Sequence, residues 1–83
     1  MVRNIKGDYM KIGDIVIRKE PASNDGTLKA DAARLQRHIQ GHGIILKKYM
    51  AGKPVHPCID VYYFKTGKIY GIAESLMEVI SEA

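Results

Sequence analysis

The chain has 83 residues and a mass of 9.3 kDa, 46% hydrophobic and 27% charged, which is the size of one small domain and leaves no room for a second. Its single cysteine, Cys58, excludes an intramolecular disulfide framework and a cysteine-based zinc site. No stretch approaches the roughly 18 apolar residues of a membrane span, and the residues after Met1 lack the apolar core of a secretory signal, so a cytoplasmic protein without membrane contact is expected.

A domain of this length buries only about 60% of the surface its unfolded chain exposes, so its core is thin and self-association is the cheapest extra stabilisation. The formal net charge of +4 hides an asymmetry. All thirteen Lys and Arg lie in residues 1–72 against six acids, whereas residues 73–83 carry only Glu74, Glu78 and Glu82. Between residues 29 and 53 stand Lys29, Arg34, Arg37, Lys47, Lys48 and Lys53 against Asp31 alone. Such a segment is either an ordinary solvated face or a phosphate-binding one.

Residues 1–9 have no periodicity and read as an N-terminal tail or a packed arm; Met10 could itself be a translation start. From Met10 a turn leads into the β-branched run Ile15-Val16-Ile17, a first strand that ends near Glu20. The turn formers Pro21 to Gly26 mark a loop. Residues 27–40 have helical rhythm, with Leu28, Ala32, Leu35 and Ile39 on one side, so this stripe is expected to face the core and Lys29, Arg34 and Arg37 to face water. Asp25 or Thr27 can cap the helix and Gly41 with Gly43 can stop it. It has no second helix joined by a short turn, as a helix-turn-helix requires.

After Gly43 the period changes to that of strands: residues 44–50, then a loop with Pro54 and Pro57, then residues 58–64. A tight Lys65-Thr66-Gly67 connection leads to residues 68–72, where Gly71 suggests a bend or bulge. One helical turn at residues 73–76 and a last strand at 77–80 complete the chain. In the 58–64 strand, Ile59, Val61 and Tyr63 form the more core-like face, opposite Cys58, Asp60, Tyr62 and Phe64.

The chemical candidates point away from catalysis. His38, His42 and His56 lack a convincing third ligand, because Gly41 separates the first two, so no metal is expected. Cys58 has no recognisable base or oxyanion hole and reads as a buried small residue. Asp14 has no carboxylate partner in sequence. Asp60, among apolar neighbours, must meet solvent or a basic partner. The expectation is a non-enzymatic protein with no cofactor.

The order of elements, with Lys11-Ile12-Gly13-Asp14-Ile15-Val16, Gly43-Ile44-Ile45-Leu46, Thr66-Gly67-Lys68-Ile69-Tyr70-Gly71 and Glu74-Ser75-Leu76-Met77-Glu78-Val79-Ile80 as punctuation, resembles the five-stranded small β-barrels of the Src-homology and Sm-like type. It is similar as well to small barrel proteins encoded by marine phages, cyanophages among them. The likeness covers residues 10–81 as a single mainly β domain, with one α-helix inserted in the first long loop. The resemblance implies a homo-oligomeric ring of about five to seven subunits that closes the open strand edges. The matching interface is carried by Ile69, Tyr70, Ile72, Val79 and Ile80. It also implies single-stranded RNA as the partner, for which Lys47, Lys48, Tyr49, Lys53 and His56 are the stacking and phosphate candidates. The usual pocket residues are not all present: the loop after Tyr49 has no Asn, and Glu74 stands where a base is expected. The alternative reading is a protein-interaction module of phage origin, acting on a host or phage protein through the added helix or through a groove lined by Tyr49, Tyr62 and Tyr63.

Overall fold

The computed structural model describes residues 10–20 and 28–83. The N-terminal tail, the Pro21 to Gly26 turn cluster and the Asp25 or Thr27 cap lie outside the described residues. The β-branched run forms β1 (Ile15–Arg18), the helical rhythm forms α1 (Leu28–Gln40), and the return to period two gives β2 (His42–Ala51) and β3 (His56–Tyr63). Then follow β4 (Lys68–Ala73), a single 3-10 turn at Glu74–Leu76, and β5 (Met77–Ser81). Gly41 ends the helix as expected: it takes φ +65°, and its N–H donates to the Arg37 carbonyl at 3.0 Å.

The five strands make one antiparallel sheet in the order β4-β3-β2-β1-β5. The sheet is not closed into a barrel, which corrects the sequence reading. Rather than reversing into a hairpin, the 3-10 turn carries the chain from the β3 side to the β1 side, so β4 and β5 become the two opposite edges. Curvature comes from register shifts at Ile15/Val16 and between Ile45 and Lys47. The bulge expected at Gly71 is absent, since β4 keeps an unbroken register with β3 from Lys68 to Ala73.

The interior consists of Met10, Val16, Ile45, Ile59, Val61, Tyr63 and Met77, with Ile72 and Val79 packed against it. Ile59, Val61 and Tyr63 thus form the core face of β3, as their places in the strand predict, and Cys58 is buried although it alternates onto the opposite face.

The helix departs from its predicted orientation. Leu28 is 88% exposed, and Leu35 and Ile39 also face water, while Ala30 is buried. With the core filled by strand residues, α1 is held instead by polar bonds along its C-terminal half. The Arg37 guanidinium donates to the Arg18 carbonyl at 3.0 Å and lies 3.9 Å from Glu78, and Lys65 Nζ donates to the His38 carbonyl at 2.9 Å. Leu35 and Ile39 line an open cleft of about 300 Å³ with Thr66, Lys68 and Tyr70 of the β4 end.

Asp14 organises both ends of the described chain. Its carboxylate is buried and accepts the Lys11 N–H at 2.9 Å through Oδ2 and the Ala83 N–H at 2.8 Å through Oδ1, while its own carbonyl accepts Ile45 N–H at 3.0 Å. Backbone donors to a buried carboxylate are charge-assisted, so Asp14→Ala is expected to lower unfolding free energy by about 2–4 kcal/mol, with Asp14→Asn less severe. Urea unfolding of the two variants checks this; an Asp14→Ala midpoint equal to that of the parent protein contradicts it.

Candidate functional site

The sheet's outer face is set by β2. The irregularity between Ile45 and Lys47 interrupts strict alternation, so that Lys47 and Tyr49 pair with Asp60 and Cys58 while Lys48 pairs with core-facing Ile59. Two adjacent lysines are thereby sent to opposite sides. Lys47 stays exposed on the outer face. Lys48 turns toward the core margin, where its ammonium donates to the Met10 carbonyl and lies 3.6 Å from Glu74 Oε2.

Glu74, only 6% exposed, gains its nearest charge partner in Lys48. Its Oε2 has no hydrogen-bond partner and relies on that ion pair. Together with Tyr49, Met50, Pro57 and Cys58, the pair lines an open cleft of about 380 Å³. Glu74 and Lys48 are both engaged within the chain, so Lys48 is less available as a phosphate contact than the sequence suggested.

Tyr49 crosses the outer face and donates its O–H to Asp60 Oδ1 at 2.9 Å. This bond supplies the partner that Asp60 needs, a phenol in place of a base. It also explains Gly71: a Cβ there would collide with the Tyr49 hydroxyl, so the glycine leaves room for the phenol over β4 and makes no kink. The Tyr49 phenol is held above its ordinary pKa, chiefly because its proton is donated to the Asp60 carboxylate, with desolvation and the Asp60 charge adding to the effect. Tyr63 is raised as well, by burial in the core.

Lys53 projects from the exposed turn between β2 and β3, where the Lys53–Pro54 peptide is cis. His56 Nδ1 lies 2.9 Å from the Pro54 carbonyl. Lys47 and Lys53 therefore remain as exposed cations, Tyr49 presents a ring whose hydroxyl is engaged, and His56 folds back on its own turn.

The interface candidates divide. Ile69, Tyr70 and Ile80 are exposed on the edge strands, whereas Ile72 and Val79 lean on the chain's own core.

A second group was singled out from sequence only in part, through Tyr62 as a groove residue. On the outer face, Phe64 stands edge-on to His42 with ring centroids 5.7 Å apart, and edge-on to Tyr62 at 5.9 Å. The signal was present in the β3 alternation, which sets Tyr62 and Phe64 opposite Val61 and Tyr63; that His42 joins them follows from the β2–β3 register, which sequence does not give. Among the described residues no three His, Cys, Asp or Glu side chains gather as a metal site, and no helix is long and apolar enough to cross a membrane. No family model matches the chain, and no curated protein or solved structure matches it either.

The Tyr49–Asp60 bond predicts a pH effect. A raised folded pKa means that its stabilisation is fully present below the unfolded phenol value of about 10 and is lost as pH rises through the higher folded value. In an ultraviolet titration of the folded protein, Asp60→Asn is expected to return one phenol toward its ordinary range. Identical titration curves for parent and variant contradict the assignment.

Proposed function

We propose that this chain is a non-enzymatic, Sm-like cytoplasmic protein that assembles edge to edge into a homo-oligomeric ring and binds single-stranded RNA along its basic surface. The observation that carries the reading is the open sheet. Among the described residues both edge strands leave a row of backbone groups unpaired, and both expose apolar side chains: Ile69 at 56% and Tyr70 on β4, Ile80 on β5. A second copy presented edge to edge satisfies those groups and covers that surface, which a chain with so small an interior has most to gain from. Charge favours a head-to-tail contact. The β4 end carries Lys65 and Lys68, and β5 carries Glu78.

For RNA the support is narrower. Lys47 is exposed on the same face as Tyr49, Lys53 is exposed on the turn that follows β2, and the sequence from residue 29 to 53 is predominantly basic. The exposed stripe Leu28, Leu35 and Ile39 on α1 favours the second reading, a protein-interaction module without nucleic-acid binding.

Light scattering separates the assembly from a lone domain: five to seven copies are expected and a monomer at all concentrations removes the ring. For RNA, fluorescence anisotropy with a labelled single strand is expected to show affinity that falls with salt. Reversing Lys47 and Lys53 to Glu should flatten the slope of log K against log salt by about 1.4, at ~0.7 per phosphate contact. Absence of binding at low salt removes the RNA reading, and an unchanged slope removes these two lysines from it.

A further inference from the structure

We infer that the sheet's outer face at the β2–β3–β4 end, centred on Phe64, His42 and Tyr62, is the platform on which bases of the single strand stack; this rests on the RNA reading above and moves its main contact away from the β2–β3 turn. The registers Ile15↔Ile44, Ile44↔Tyr62 and Tyr62↔Ile69 lay one row of side chains straight across four strands on this face. Beside that row sit His42 and Phe64, joined by the Phe64 N–H donating to the His42 carbonyl at 3.3 Å. Phe64 is 48% exposed and His42 is exposed, so among the described residues both rings are open to a planar partner, and the two edge-on contacts hold the Phe64 ring in place.

Charge selects the occupant. Lys47 stands exposed in the next row of the same face, whereas Lys65, which follows Phe64 directly, already donates its ammonium to the His38 carbonyl. The one carboxylate on this part of the face, Asp60, is already occupied by the Tyr49 hydroxyl, and Glu78 at the far side faces Arg37. Fixed aromatic rings with an exposed lysine in the next row match the alternation of bases and phosphates in a single strand, and stacking on them needs no particular sequence. The candidates named from sequence for RNA, by contrast, have Tyr49, Lys48 and His56 engaged within the chain.

The test uses the full chain and labelled RNA of about a dozen nucleotides at low salt, against Phe64→Leu, His42→Ala and Phe64→Trp. Phe64→Leu keeps an apolar side chain and removes the ring, and is expected to weaken binding by about five-fold or more, as is His42→Ala, with the oligomer mass unchanged. Because the chain contains no Trp, Phe64→Trp supplies a lone reporter that should bind RNA and be quenched by it. If the parent protein binds but both ring-removing variants bind equally well, the platform is wrong and the RNA reading stands. If Phe64→Leu fails to fold, Phe64→Trp decides: emission unchanged when RNA is bound overturns the platform. A shift in oligomer mass without a change in RNA affinity overturns it too and assigns the face to contact between copies, and a parent protein that binds no RNA overturns both.

Discussion

Among the described residues, seven buried side chains, supplied by Met10, β1, β2, β3 and β5, make the central core cluster on which the fold depends. Tyr63 is the largest of them and spans the space that a bigger domain would fill with several residues. A core of this size is complete once the strands have curved around it, so little apolar demand is left over. The helix therefore joins by polar bonds through Arg37 and His38 and leaves its leucines in water. Among the described residues no further strand pairs with the edge strands. Both features that matter for interaction, the open edges and the bare helix stripe, follow from the same scarcity of interior volume.

The irregularity in β2 has the second largest consequence. By shifting the pattern between Ile45 and Lys47 it gives one lysine to the solvent and the next to Glu74, and it places Tyr49 where its hydroxyl reaches Asp60 across Gly71. With Glu74 buried and Lys48 partly exposed, the pair contributes little net stability, and it ties the 3-10 turn to β2. The turn in turn sets which side of the sheet β5 joins.

Much of this was legible in sequence. The strand order along the chain, the 3-10 turn at Glu74–Leu76, the Gly41 stop and the core face of β3 all rest on local chemistry: β-branched runs, turn residues and alternation act within a few residues. What escaped depends on long-range register. The stripe of Leu28, Leu35 and Ile39 has a helix period but nothing in the chain says that the strands fill the core without it. Gly71 has the look of a bulge until Tyr49, twenty-two positions earlier, is known to lie over it. Asp14 gave no signal at all, since its partners are backbone amides, one of them at Ala83.

The central claim is that the β4 edge meets a second copy in solution. Amide hydrogen exchange of residues 68–73, measured across a dilution series, addresses it directly. Among the described residues, β4 pairs with β3 alone, and the outward N–H groups of an open edge exchange quickly. The account predicts that these amides are slowed at high protein concentration and quicken on dilution, together with those of β5. Exchange that is fast on both edges and independent of concentration contradicts it.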